Sequence, residues 1–134
     1  MITGIGVDAC DAARFEKMTN PQRFLDRYMT VYEIEYVSGK EASKYMSMAG
    51  IFAAKEALVK VLGTGFIQTD LKAIEVRHTE YGAPYYVTSG WIKNEMNLKN
   101  IDAVYLSITH EKNMAVAIAI AENNGNFSGG HIQC

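Results

Sequence analysis

The hydrophobic pattern begins asymmetrically. From Ile2 to Val7 the chain alternates like a strand, with Thr3, Ile5 and Val7 on one face and Gly4, Gly6 and Asp8 on the other. The second face is bare until it presents a carboxylate. Glycines in such a strand mark the close approach of a ligand or of another backbone, and both readings stand at this point. Asp11 to Met18 reads as a short helix. Asn20-Pro21 joins a capping residue to a first-turn proline and opens a helix through Met29. Thr30-Val31-Tyr32-Glu33 has the form of a capping box, starting a further helix that Gly39 ends. The longest helical stretch runs from about Glu41 to Leu62, with Gly63 as its stop.

Beyond Gly63-Thr64-Gly65 the period shortens from helical to alternating. Leu71 to Arg77 and Pro84 to Thr88 are predicted strands on either side of a turn at Glu80-Tyr81-Gly82. Ser89 is the expected cap of a helix through Lys99 that buries Trp91, Ile92 and Met96. Ala103 to Thr109 and Met114 to Ala121 form a hairpin, the second strand alternating Met114, Val116, Ile118 and Ile120 with four alanines. Together these elements predict one α+β domain over residues 1–122, with a mostly antiparallel sheet packed on a long buried helix. Residues 123–134, rich in Gly and Asn, are the expected flexible polar tail.

Composition narrows the class. At 134 residues and 49% hydrophobic content the chain suits one globular domain with a true core. Thirteen basic against fifteen acidic residues argue against a general nucleic-acid coat or a polybasic membrane anchor. No apolar run approaches the ~18–20 residues of a membrane span, and no signal-like segment follows Met1, so a soluble cytoplasmic protein is expected. The two cysteines, Cys10 and Cys134, make neither a disulfide framework nor a zinc spacing.

The chemistry concentrates in the long helix. At about 100° per residue, Ile51, Ala54, Leu58 and Leu62 share one side, and Phe52, Ala53, Ala57, Val59 and Val61 fill most of the rest. Only Glu56 and Lys60 make a polar pair, one turn apart. An exposed pair of this kind is worth only ~0.2–0.5 kcal/mol, and Lys55 would then snorkel to water along its stem. The other reading is a site in which Glu56 meets a metal or a proton and the lysines meet phosphate. Gly63-Thr64-Gly65 could offer amides to an anion, although a helix C-cap explains Gly63 equally well.

Three motifs, in order, carry a resemblance. They are Gly4-Ile5-Gly6-Val7-Asp8 followed by Arg14-Phe15, then Phe52-Ala53-Ala54-Lys55-Glu56-Ala57-Leu58-Val59-Lys60-Val61-Leu62-Gly63-Thr64-Gly65, and Leu106-Ser107-Ile108-Thr109-His110 after Gly82-Ala83-Pro84. With these, the chain from about Ile2 to Ala121 resembles the 4′-phosphopantetheinyl transferases of the short holo-[acyl-carrier-protein] synthase type. The resemblance implies transfer of phosphopantetheine from coenzyme A to a serine of an apo acyl carrier protein, with release of 3′,5′-ADP. It implies Mg²⁺ held by Asp8 and Glu56, and Lys60 beside the pyrophosphate as the third catalytic residue. A water on the metal, or Asp8 itself, would take the serine proton.

The same resemblance places Lys55, Lys60, Gly63, Thr64, Gly65, Ser107, Thr109 and His110 along coenzyme A. It makes Arg14, Met18, Arg23 and Arg27 a basic docking surface for the acidic carrier protein, and it implies a homotrimer with sites between subunits. The pathway the carrier serves stays open. One departure stands out: Ile51 occupies a position where many relatives carry Arg, immediately before the Phe-Ala-Ala-Lys-Glu run.

Overall fold

The computed structural model describes residues 1–63 and 70–125. Strand β1 (Ile2–Asp11) leads into four helices, α1 (Ala13–Glu16), α2 (Pro21–Tyr28), α3 (Val31–Ser38) and α4 (Lys44–Leu62). There follow β2 (Val76–His78), β3 (Pro84–Tyr86), α5 (Trp91–Leu98), β4 (Ala103–Glu111) and β5 (Met114–Glu122). The order β1-β5-β4 makes an antiparallel sheet, and β2-β3 a small second one. This is the α+β architecture expected, and α4 lies across the inner face of the larger sheet. No helix among the described residues is long and apolar enough to cross a membrane.

Packing of α4 on the sheet depends on small residues. The alternating face of β5 that enters the core is the alanine face: Ala115, Ala117, Ala119 and Ala121 are buried, while Val116, Ile118 and Ile120 point outward. A Cβ built on Gly6 would stand 2.1 Å from the Ala57 carbonyl oxygen, so β1 and α4 touch backbone to backbone at that point. Gly63 closes α4 in the left-handed region at φ 70°, where its N–H caps Val59 and Lys60 carbonyls.

Outward, the register aligns Ile5 with Ile120 and Tyr105, and Val7 with Ile118 and Ser107. Ile5, Val7 and Tyr105 are 61%, 53% and 52% exposed. One face of the sheet is therefore core and the other is an uncovered apolar strip in the single chain.

Several boundaries differ from expectation. Strand β1 continues four residues beyond Val7 because β5 keeps pairing with it as far as Asp11–Met114. Asp11 then accepts a hydrogen bond from the Ala13 N–H at 2.9 Å, so α1 begins two residues later than its pattern implies. Glu41–Ser43 is a 3-10 turn preceding α4. Leu71–Ala73 is another, capped by Asp70 at the Lys72 N–H, and leaves only Val76–His78 as strand. Gly90, at φ 65°, caps α5 in place of Ser89, and Trp91 is half-buried where a buried ring was expected. The capping box is present as read, with reciprocal bonds between Thr30 and Glu33.

Candidate active site

The contact between Gly6 and Ala57 decides the site. It brings the inward face of β1, where Asp8 follows Gly4 and Gly6, against the polar stripe of α4. Lys60 Nζ donates to the Val7 carbonyl oxygen at 2.8 Å and to Asp8 Oδ1 at 3.1 Å. Glu56 lies one turn earlier and shares a hydrogen bond with Asp8. Burial, and then the neighbouring Asp8 carboxylate, push the Glu56 carboxyl up to about 7. Two carboxylates and one ammonium therefore meet at the β1–α4 contact, with the lysine 56% and Asp8 15% exposed.

The donor set suits a hard cation. Mg²⁺ uses one or two carboxylates and completes its shell with waters and substrate phosphates. Burial raises Glu56 most; the repulsion from Asp8 that adds to it is what a cation between the two carboxylates would relieve. Among the described residues no group of three or more His, Cys, Asp or Glu gathers.

Arg14 belongs partly to this neighbourhood. Its guanidinium packs over Phe52 at 5.0 Å and over Phe15 at 5.6 Å, hydrogen-bonds Cys10, and draws the Glu56 carboxyl down against the burial and the Asp8 charge that raise it. Burial raises the Cys10 thiol, which leaves that side chain a protonated core residue. The short helix expected to run to Met18 ends at Glu16, so Met18 follows the cap, half-buried against the core. Arg23 and Arg27 are exposed on α2, the latter lying over Tyr28 at 5.4 Å.

Lys55 needs a correction. It neither snorkels to water nor faces a phosphate: its ammonium is fully buried against Glu33 at 2.6 Å, with both side chains 0% exposed. It also donates to the Tyr28 and Leu71 carbonyl oxygens, each at 2.9 Å. Glu33 in turn accepts from the Thr30 N–H at 2.8 Å and the Val76 N–H at 2.7 Å. Burial pushes Glu33 up and Lys55 down, and the ion pair opposes both. With three acceptors around one ammonium, Lys55 stays charged and fastens α2, α3, α4 and β2 together. The capping box accounted for one oxygen of Glu33; nothing in the local sequence pointed its other oxygen at Val76.

Ser107, Thr109 and His110 divide between two faces. Ser107 and Thr109 pair with Ile118 and Val116 and share their outward side. His110 pairs with Ala115 and lines an inner cavity of about 230 Å³ on the β4 side of α4. That cavity also takes in Tyr36, Ser43, Ser47, Ile51 and His78. It lies two strands away from Asp8, at about 4.7–4.9 Å per strand. Sequence reasoning missed Tyr36 and His78, which nothing local connects. Gly63 is placed as a helix cap, while Thr64 and Gly65 lie outside the described residues.

Asp8 on the glycine-bearing strand, with Glu56 and Lys60 on the helix, makes a compact charged site on an α+β frame, and comparison with known proteins assigns the family. The family model of the 4′-phosphopantetheinyl transferase superfamily matches residues 4–121, and the chain belongs to that family. A holo-[acyl-carrier-protein] synthase of Halothermothrix orenii is 41% identical over 124 residues, spanning 91% of this chain and 98% of that protein. The crystal structure of the Neisseria meningitidis synthase superimposes with a TM-score of 0.81 at 28% identity, covering 92% of this chain and 100% of the other. The Bacillus anthracis synthase, in complex with CoA (3′,5′-ADP), gives 0.75 at 36% identity, covering 92% and 99%.

Proposed function

We propose that this chain transfers 4′-phosphopantetheine from coenzyme A to a serine hydroxyl of an apo acyl carrier protein, with Mg²⁺ required and 3′,5′-ADP released. The observation carrying the reading is the meeting of Asp8, Glu56 and Lys60 where Gly6 lets β1 touch α4. Asp8 and Glu56 would hold the Mg²⁺, which when bound neutralises charge on the pyrophosphate of coenzyme A. Lys60, already aimed at Asp8 by the Val7 carbonyl, supplies a fixed positive charge to the phosphoryl oxygens in the transition state. The serine oxygen attacks the β-phosphorus, its proton leaves toward a carboxylate oxygen of the pair, and the bond to the departing nucleotide breaks.

The carrier is acidic in this reading and docks on Arg14, Arg23 and Arg27, whose charges steer the encounter, with Met18 as an apolar contact beside them. A homotrimer accounts for two further features. The apolar strip of Ile5, Val7, Ile118, Ile120 and Tyr105 would gain a cover, and His110, two strands from Asp8 within its own chain, would serve another copy's acid pair. Ser107 and Thr109 then stand at a subunit boundary. A cytoplasmic location completes the picture.

The test is the intact mass of an apo acyl carrier protein after incubation with the chain, coenzyme A and Mg²⁺, with and without EDTA. A gain of one phosphopantetheine that EDTA abolishes is the expected result. Release of 3′,5′-ADP without modified carrier would assign a Mg²⁺-dependent phosphohydrolase instead. Binding of coenzyme A without turnover would assign a non-catalytic module.

A further inference from the structure

Lys55 and Glu56 are neighbours on α4 but leave it on different sides, about 100° apart around the axis. Glu56 meets Asp8 of β1. Lys55 meets the other flank, where its ammonium donates at 2.9 Å to the carbonyl oxygen of Tyr28, the last residue of α2. That oxygen is one of the four at a helix end with no partner inside the helix, and a cation there also suits the helix dipole. The same ammonium reaches the Leu71 carbonyl and Glu33, whose second carboxylate oxygen holds the Val76 N–H.

Long side chains bridge the rest of the gap between α2 and α4. The Phe52 ring, one turn before Glu56, stands 5.1 Å from Phe24 and 6.0 Å from Tyr28, centroid to centroid. Arg23 and Arg27 lie exposed on α2. Their position relative to Asp8, Glu56 and Lys60 therefore depends on how α2 is seated on α4. Ring contacts tolerate sliding, whereas three directional bonds from one ammonium fix a single arrangement. A buried ion pair adds little stability over apolar residues of the same volume; its best-attested use is to select one geometry.

Resting on the transferase reading above, we propose that Lys55, held by Glu33, is a positioning residue that sets the reach from the carrier-docking arginines of α2 to the acid pair. A docked serine then arrives in line with the phosphoryl group. Coenzyme A, which does not touch α2 in this reading, is bound independently of the clamp.

The experiment is a double-mutant cycle read by intact mass of the carrier. One arm replaces the clamp with apolar residues, Glu33→Leu/Lys55→Met, and the other removes the arginines, Arg23→Ala/Arg27→Ala. The apolar clamp is expected to lower kcat/KM for the carrier by about 10- to 100-fold, as a misplacement of about 1 Å can. Coenzyme A affinity, measured by calorimetry without carrier, should change by less than about twofold. Removing the arginines should matter at least about threefold less in that background than in the parent, since arginines no longer aimed have less to lose. Glu33→Asp serves where the apolar pair does not fold: it keeps both charges, draws the carboxylate back by one methylene, and should lower carrier kcat/KM by about two- to tenfold with the same non-additivity. A folded variant of either kind that modifies the carrier like the parent, or arginine losses that simply add, overturns the inference and leaves the transferase reading intact. So does a fall in coenzyme A affinity equal to the fall in carrier modification, because the clamp then supports the fold at large. An unmodified chain that transfers nothing fails the transferase reading, and this inference falls with it.

Discussion

Two lysines five residues apart on α4 each meet a carboxylate, and the two pairs do opposite work. Lys55 and Glu33 are sealed from water, 2.6 Å apart, with every ammonium proton directed at an acceptor. Lys60 and Asp8 are 3.1 Å apart and partly open to water, and Glu56 beside them is pushed up to about 7. In the first pair all polar valences are spent within the chain, which fastens four elements. In the second the charges are poorly balanced by the protein, and the proposed cation and phosphate would improve that balance. Complete satisfaction stabilises a fold; incomplete satisfaction leaves something for a substrate to do.

Breaking the sealed pair should have the largest effect. Glu33→Ala or Lys55→Ala leaves one charge buried alone and is expected to cost about 3–5 kcal/mol, a large share of the ~5–15 kcal/mol that holds an ordinary domain. Chemical denaturation will show it, and the double variant Glu33→Leu/Lys55→Met should recover much of the loss. If the single variants unfold like the parent, the sealed pair is not the fastening described here.

The open pair should respond in activity instead. Lys60→Met is expected to lower carrier modification by about 10²–10³-fold, while its partly exposed ion pair changes stability by less than about 1 kcal/mol. Glu56→Gln should abolish modification and raise the melting temperature, because it removes a charge the fold resists. A parallel loss of stability and activity in both variants would erase the distinction between the pairs.

The pH dependence sharpens the same contrast. The Glu56 carboxyl is raised from 4.5 to about 7 in the folded chain, so the folded state binds its proton more tightly than the unfolded state does. Its contribution to stability is fully present below about pH 4.5 and is lost as pH rises through about 7. Hence the stability gain of Glu56→Gln should be evident at pH 8 and absent at pH 4.5. Mg²⁺ affinity, which needs the ionised carboxylate, should rise over the interval in which the parent loses that stability. Titration calorimetry at several pH values reads the second effect; a flat profile would remove Glu56 from the cation site. The smallest change is expected from Ser107→Ala and Thr109→Ala, which face the outer side of the sheet: stability in chemical denaturation should move by less than about 0.5 kcal/mol.

Much of this molecule was legible locally. The capping box at Thr30, the proline start of α2, the αL stop at Gly63 and the hairpin of β4 and β5 depend on residues within a few positions of one another. Strand periodicity also placed Asp8 on the glycine face, which is the face that meets α4. The charged stripe of Glu56 and Lys60 followed from helical spacing alone. Lys55 could not be assigned that way, because its partners Glu33, Tyr28 and Leu71 are 22, 27 and 16 residues distant.

Tertiary structure decided which face of each element became interior. On β5 the larger aliphatic side chains lost the core to four alanines, since α4 approaches too closely for anything bigger. That same closeness turned Gly6 into the hinge of the site and left Ile5, Val7 and Tyr105 uncovered on the far side. It also set Ser107 and His110 on opposite faces of one strand and stacked His78 on Tyr36 across the cavity. Local chemistry determined the elements and the residues able to act. Distances between elements, which depend on how volumes fill the space between helix and sheet, decided which of them meet.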